Sequence, residues 1–287
     1  MKKMLILLGL SLFMSGACQA GEYIDFQCSP SPNKSGISFS NLIGTNFFSE
    51  KIADIIIRKE IMKDSTGKYK VNLQSYNLSA LNKGIFKSLE VTGTDTITDK
   101  NIYASSVKFK TLCDYTHIEY DNRTKITTFK EPFGMSYVIS FTEEDLNNTM
   151  TGKKYAKIIQ KANSVGNSYK LFNIVGSSAK IADNKLYYTM SVKVPLLNVK
   201  QDITLETDVK AKSGEIILSD SKLITENFKL DISKLDKILN YLNPLDFSMK
   251  ILENKGADVH IQDVAIKNNV VNVAGIITID KDVVTEQ

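Results

Sequence analysis

The 287-residue chain has only two histidines, His117 and His260, and three cysteines, Cys18, Cys28 and Cys113. No two cysteines stand at metal-ligand spacing, and neither GxSxG nor HExxH occurs, so metal-dependent and triad chemistry lack their usual residues. No glycine-rich run opens a helix after a strand, which removes the usual phosphate cradle. No cofactor, no metal and no catalytic residue is therefore expected, and the chain reads as a non-enzyme. An excess of one charge is also lacking: 36 Lys+Arg against 32 Asp+Glu give +4. That near balance argues against nucleic acid as the main partner and is compatible with a membrane surface.

Long apolar runs are scarce too. The run from Met4 to Met14, after Lys2 and Lys3, is too short to span a bilayer and has the form of a secretory leader over residues 1–20. An exported protein of the periplasm or cell envelope is expected. Cleavage after Ala17 or Ala20 competes with lipidation of Cys18, which would anchor the protein to the membrane. Ser15 stands where a lipoprotein signal usually has Leu, which favours simple cleavage. Loss of the leader leaves 34 basic against 32 acidic residues, or +2. In an oxidising compartment Cys28 and Cys113 form an even pair, and a disulfide between them would contribute about 3–5 kcal/mol through chain entropy. Two free buried thiols are the alternative.

The richest signal is hydrophobic periodicity. Leu186, Tyr188, Met190, Val192 and Val194 alternate with Lys185, Tyr187, Thr189, Ser191 and Lys193, the mark of a long strand with one dry face. Two-residue rhythms recur in paired runs across Asp183-Asn184, Lys212-Ser213-Gly214 and Asn268-Asn269, each a hairpin signal. Val259 and Ile261 lie on one parity and Val264 and Ile266 on the other, which predicts a bulge near Gln262-Asp263. Val107, Phe109, Cys113, Tyr115 and His117 share a parity, which would put Cys113 and His117 on an apolar strand face. Val71, Leu73, Leu89, Val91 and Ile97 mark earlier strands.

Helical spacing appears in three places. From Ser40 to Lys63, residues Phe47, Phe48, Ile52, Ile55 and Ile56 belong to a stripe covering nearly half a helix. Thr142 and Asp145 fit a capping box ahead of Leu146 and Met150, with an interruption at Thr151-Gly152. A short helix from Asp231 to Tyr241 should stop at Asn243-Pro244. Residues 21–38 read as an irregular lead-in, and 39–287 as one elongated α+β domain. Long strands twist, so a meander of them curls into a curved sheet.

The acids have plain structural explanations. Asp202 and Glu206 lie on a polar strand face, and Glu143 and Glu144 complement a helix N-terminus. What remains is apolar capacity, which fits either a filled core or a slot for acyl chains.

The segment Leu81 to Asp114, LNKGIFKSLEVTGTDTITDKNIYASSVKFKTLCD, and the tail from Asn254 to Gly275 resemble the LmeA-like phospholipid-binding proteins in apolar spacing and glycine placement. The resemblance implies a tubular lipid-binding-like fold, a long, highly curved antiparallel sheet wrapped around an amphipathic helix. It implies an envelope protein that shelters acyl chains of a phospholipid or glycolipid. The groove would use Phe47, Phe48, Ile52, Ile55 and Ile56 with Leu89, Val91, Val107 and Phe109. An envelope protein with a filled core and an open-barrel lipoprotein chaperone are the competing expectations.

Overall fold

The computed structural model describes residues 26–31, 37–38, 62, 65–98, 101–121, 123–124, 126–166, 173–194, 199–225, 238–252, 256–282 and 284–285. The leader with Cys18, and the expected helix carrying Phe47, Phe48, Ile52, Ile55 and Ile56, lie outside these residues, as do 231–237.

Antiparallel strands dominate. The larger sheet has seven, in the order β1 (Ile37–Ser38), β2 (Thr66–Ser75), β4 (Ser88–Ile97), β5 (Tyr103–Thr111), β8 (Phe133–Thr142), β14 (Val270–Ile279) and β13 (Asp258–Lys267). A four-stranded sheet runs β12 (Glu215–Leu223), β11 (Val199–Lys212), β10 (Lys185–Val194) and β9 (Asn173–Ala182). A small third sheet joins β15 (Val284–Thr285), β7 (Ile126–Phe129), β6 (Thr116–Asp121) and β3 (Ile85–Phe86). None of the three closes on itself. The α+β class expected from periodicity is therefore present, and an isolated bridge from Gly214 to Ile261 ties the β11–β12 hairpin to the edge of the large sheet.

The turns explain the register. Asp183-Asn184, Ser213-Gly214 and Asn268-Asn269 all have both residues at positive φ, between 51° and 79°. Two consecutive left-handed residues match the twist of the strands they join, and Asn, Asp and Gly tolerate that conformation best. The bulge near Gln262 is present as a register shift between Ile261 and Asp263. In β10 the alternation holds: Leu186, Tyr188, Met190 and Val192 are buried.

Among the described residues, four helices bounded at both ends follow the same local rules. α1 (Leu78–Asn82) is a single turn capped by Asn77, which accepts from the Ala80 N–H. α2 (Glu143–Met150) opens on the expected capping box: the Asp145 N–H donates to Thr142 Oγ1 at 3.1 Å, and the Thr142 N–H to Asp145 Oδ2 at 2.8 Å. The chain breaks at Thr151-Gly152 and resumes as α3 (Lys153–Gly166). α2 touches β5 and β8 of the large sheet and β9 of the smaller one, so it sits between them.

Two local expectations are met with added detail and one, the shared strand of Cys113 and His117, is corrected. Asn243-Pro244 ends one helix and begins another, because Asn243 caps α4 (Pro244–Ser248) and proline at the first position has no N–H to waste. A short 3-10 turn, Met249–Leu252, continues it. Cys113 and His117 do not share a strand: β5 ends at Thr111, and β6 restarts with Thr116 and Ile118 inward. His117 is thus only partly buried, with Nε2 3.6 Å from Glu119 Oε1. Asp95, at φ 53°, shifts the parity of β4 so that Thr96 is buried and Ile97 is not.

Candidate functional site

The inner face of the large sheet is built by register. Val71, Val91, Phe109, Tyr137, Gly275 and Ile261 align across six strands, and the next row is Tyr69, Gly93, Val107, Ile139, Val273 and Val264. Leu89 pairs with Leu73 beside them. Four of the residues expected to line a groove, Leu89, Val91, Val107 and Phe109, therefore share one face. All four are at most 1% exposed. They belong to a core that also takes in inward residues of the four-stranded sheet, such as Tyr188, Ile203 and Leu218.

Two of these inner positions are glycines, and both make room for a tyrosine. A Cβ on Gly275 would stand 2.0 Å from the His260 carbonyl oxygen and 2.6 Å from the Tyr137 hydroxyl. A Cβ on Gly93 would stand 2.6 Å from the Tyr69 ring. The rings of Tyr137 and Tyr69 thus lie across strand backbone, and Tyr137 donates to the His260 carbonyl at 3.4 Å.

Deeper in the core, hydroxyls form a relay. The Tyr155 hydroxyl donates to the Leu242 carbonyl and stands 2.9 Å from the Tyr188 hydroxyl, so Tyr188 is left to donate to Tyr155. Both side chains are fully buried. Burial pushes the ionisation of Tyr155, Tyr188 and Tyr137 upward, because a phenolate there would lose its hydration. These tyrosines are held neutral. Periodicity marked Tyr188 as inward, but only the fold brings Tyr155 to it.

Three of the acids singled out in the sequence have partners, and Glu144 is exposed in the first turn of α2. Asp202 accepts from Ser191 at 2.6 Å, Glu206 from Tyr187 at 3.3 Å, and Glu143 from the Ile181 N–H at 3.0 Å. Among the described residues no three of His, Cys, Asp and Glu gather as a metal site would require.

Cys28 and Cys113 form a disulfide, with 5.5 Å between their Cα atoms. It fastens the lead-in across the protein. The Phe26 ring lies over Gly134, Ser29 donates to Glu131 at 2.6 Å, and Ser31 meets the Tyr76 hydroxyl at 2.7 Å. Tyr76 in turn donates to the Asp114 carbonyl beside Cys113.

Comparison with known proteins adds no relative. No protein family, no curated protein and no solved structure matches the chain.

The sequence reasoning missed β8, the strand that joins both halves of the large sheet. Its signal was available, since Phe133, Met135, Tyr137, Ile139 and Phe141 alternate strictly and are all buried. It also missed the asparagines that finish the smaller sheet. Asn147 donates to and accepts from the backbone of Ala179, and Asn163 does the same for Ile174, on edge strand β9. On the opposite edge, Asn240 pairs in the same way with Leu218 of β12, and Asn243 donates to the Ile216 carbonyl. Each amide offers a donor and an acceptor as a neighbouring strand would.

Proposed function

We propose that the protein is an exported, non-enzymatic envelope protein that holds the acyl chains of a phospholipid or glycolipid against the inner face of its large sheet. The observation that carries this reading is the pair of aligned inner rows, apolar or glycine at every position across six strands. Its outer counterpart is polar over much of its width, with Lys68, Lys70, Asn72, Lys108 and Lys110 turned outward. The resemblance to LmeA-like phospholipid-binding proteins supports the same ligand class. Each methylene taken from water contributes about 0.8 kcal/mol, so a long acyl chain needs few polar contacts to be held. A tubular lipid-binding-like wrapping of the sheet around the helix expected from Ser40 to Lys63 belongs to this proposal.

A second reading is favoured by a specific observation. Leu89, Val91, Val107 and Phe109 are shut off from solvent, as they would be in an envelope protein whose interior is filled by its own side chains. Native mass spectrometry of protein purified from an envelope fraction without detergent separates the two. The carrier reading expects a stoichiometric lipid, recovered by organic extraction. A clean apo mass together with no uptake of fluorescent lipid from vesicles would overturn it in favour of the filled core.

A further inference from the structure

We infer that α3 is the face with which the protein docks on an anionic bilayer surface, an inference that rests on the reading of this protein as one that works on membrane lipids. The helix, KKYAKIIQKANSVG, has four lysines and no acidic residue in its fourteen. Lys153, Lys154, Lys157 and Lys161 are all exposed, and they share the outer side with Ala156, Gln160 and Ser164. Lys153, Lys157 and Lys161 follow one another at four-residue steps and form a single row along the helix.

The inward side is already occupied. Tyr155 is fully buried in the hydroxyl relay, Ile158, Ile159 and Ala162 pack against the core, and Asn163 holds the edge of β9. The helix is thus fixed by its apolar face and does not have that face free for insertion into a bilayer. What it presents outward is charge.

The arrangement is unfavourable for the isolated protein in two independent ways. Like charges at four-residue spacing repel each other along the row. Lys153 and Lys154 stand in the first turn, where the helix dipole is itself positive. No described acid forms an ion pair with any of the four, so no salt bridge offsets this repulsion. A surface dense in anionic headgroups removes both repulsions at once, and lysines clustered on an amphipathic helix are the arrangement such a surface attracts.

The test is sedimentation of the full chain with vesicles of phosphatidylcholine alone and with phosphatidylglycerol added. The variants are Lys153→Gln/Lys157→Gln/Lys161→Gln and a charge-matched control, Lys70→Gln/Lys110→Gln/Lys222→Gln, all at exposed positions. Wild type should prefer the anionic vesicles and release as salt rises. The α3 variant should lose about five-fold per lysine, on the order of a hundred-fold in all, while the control stays near wild type. Equal loss in both variants, or none in the α3 variant, would overturn the assignment. So would retention on soluble polyphosphate without vesicle binding, which would point to a soluble polyanion. Lipid occupancy is read by native mass spectrometry on the same samples. Lipid kept by a protein that ignores anionic vesicles counts against α3 alone, and docking without bound lipid counts against the carrier reading alone.

Discussion

At the residue scale, the most constrained position in the sheet is Gly275. A methyl group there would enter the His260 carbonyl, which is backbone and cannot swing aside, as well as the Tyr137 hydroxyl. Gly275→Ala should therefore destabilise the protein by about 1–3 kcal/mol or more, measured by urea denaturation. Gly93→Ala should cost less, because Tyr69 is only partly buried and its ring can shift, although Val107 stands 2.7 Å away. Equal effects at the two sites would contradict this account of the sheet. The buried tyrosines set a second expectation. Tyr137, Tyr155 and Tyr188 are neutral in the fold and resist ionisation, whereas in the unfolded chain they ionise near the usual value of 10.0. Above that pH the unfolded state binds fewer protons than the folded one, so stability present below pH 10 is lost as pH rises beyond it. The slope should approach about 1.4 kcal/mol per pH unit for each such tyrosine. Chemical denaturation at pH 8, 10 and 11 checks the sign, and stability unchanged over that span would remove these groups from the argument.

At the scale of elements, the four-stranded sheet protects its edges by an unusual means. An open edge is a template for pairing with another chain. Here Asn147 and Asn163 face β9, and Asn240 and Asn243 face β12, from helical segments that the core already holds in place. Asn147→Ala or Asn163→Ala would leave one N–H and one carbonyl of β9 without a partner. Each should lower stability by about 1–3 kcal/mol. The double variant should also aggregate in a concentration-dependent way, followed by light scattering. A double variant as soluble and stable as wild type would show that the amides are not what guards the edge. Much of this level was legible in advance. Paired turn residues marked the hairpins, the Thr142-Asp145 spacing gave the capping box, and the parity switch near Gln262 gave the bulge, because each is decided within a few residues of chain. The break at Leu112 to Tyr115 was not legible. It answers to the disulfide at Cys113 and to the neighbouring contacts of Tyr76 and Asp114, which come from distant parts of the sequence.

At the scale of the whole molecule, the disulfide closes a loop with a sequence separation of 85. Replacing both cysteines by serine should cost about 3–5 kcal/mol in the chain-entropy picture. The loss should be most visible at the lead-in, where the Ser29–Glu131 and Ser31–Tyr76 contacts depend on Cys28 being held in place. Hydrogen exchange with and without reductant reads both effects. Protection unchanged around residues 26–31 after reduction would show that those hydrogen bonds hold the segment unaided.

The sequence by itself determined the dry face of β10, where the three short hairpins turn, how α2 begins and that Cys28 and Cys113 could pair. Those properties depend on alternation, on residues tolerant of positive φ and on short-range hydrogen bonds. Only the tertiary structure decided that Val91, Phe109 and Val107 lie in two adjoining rows completed by β8, β13 and β14, with Leu89 and Leu73 beside them. It also decided that Tyr155 meets Tyr188, and that asparagines from helices finish the edges of a sheet. These depend on which strands become neighbours and at what register, and that choice is made by the burial of many apolar side chains together across the whole chain.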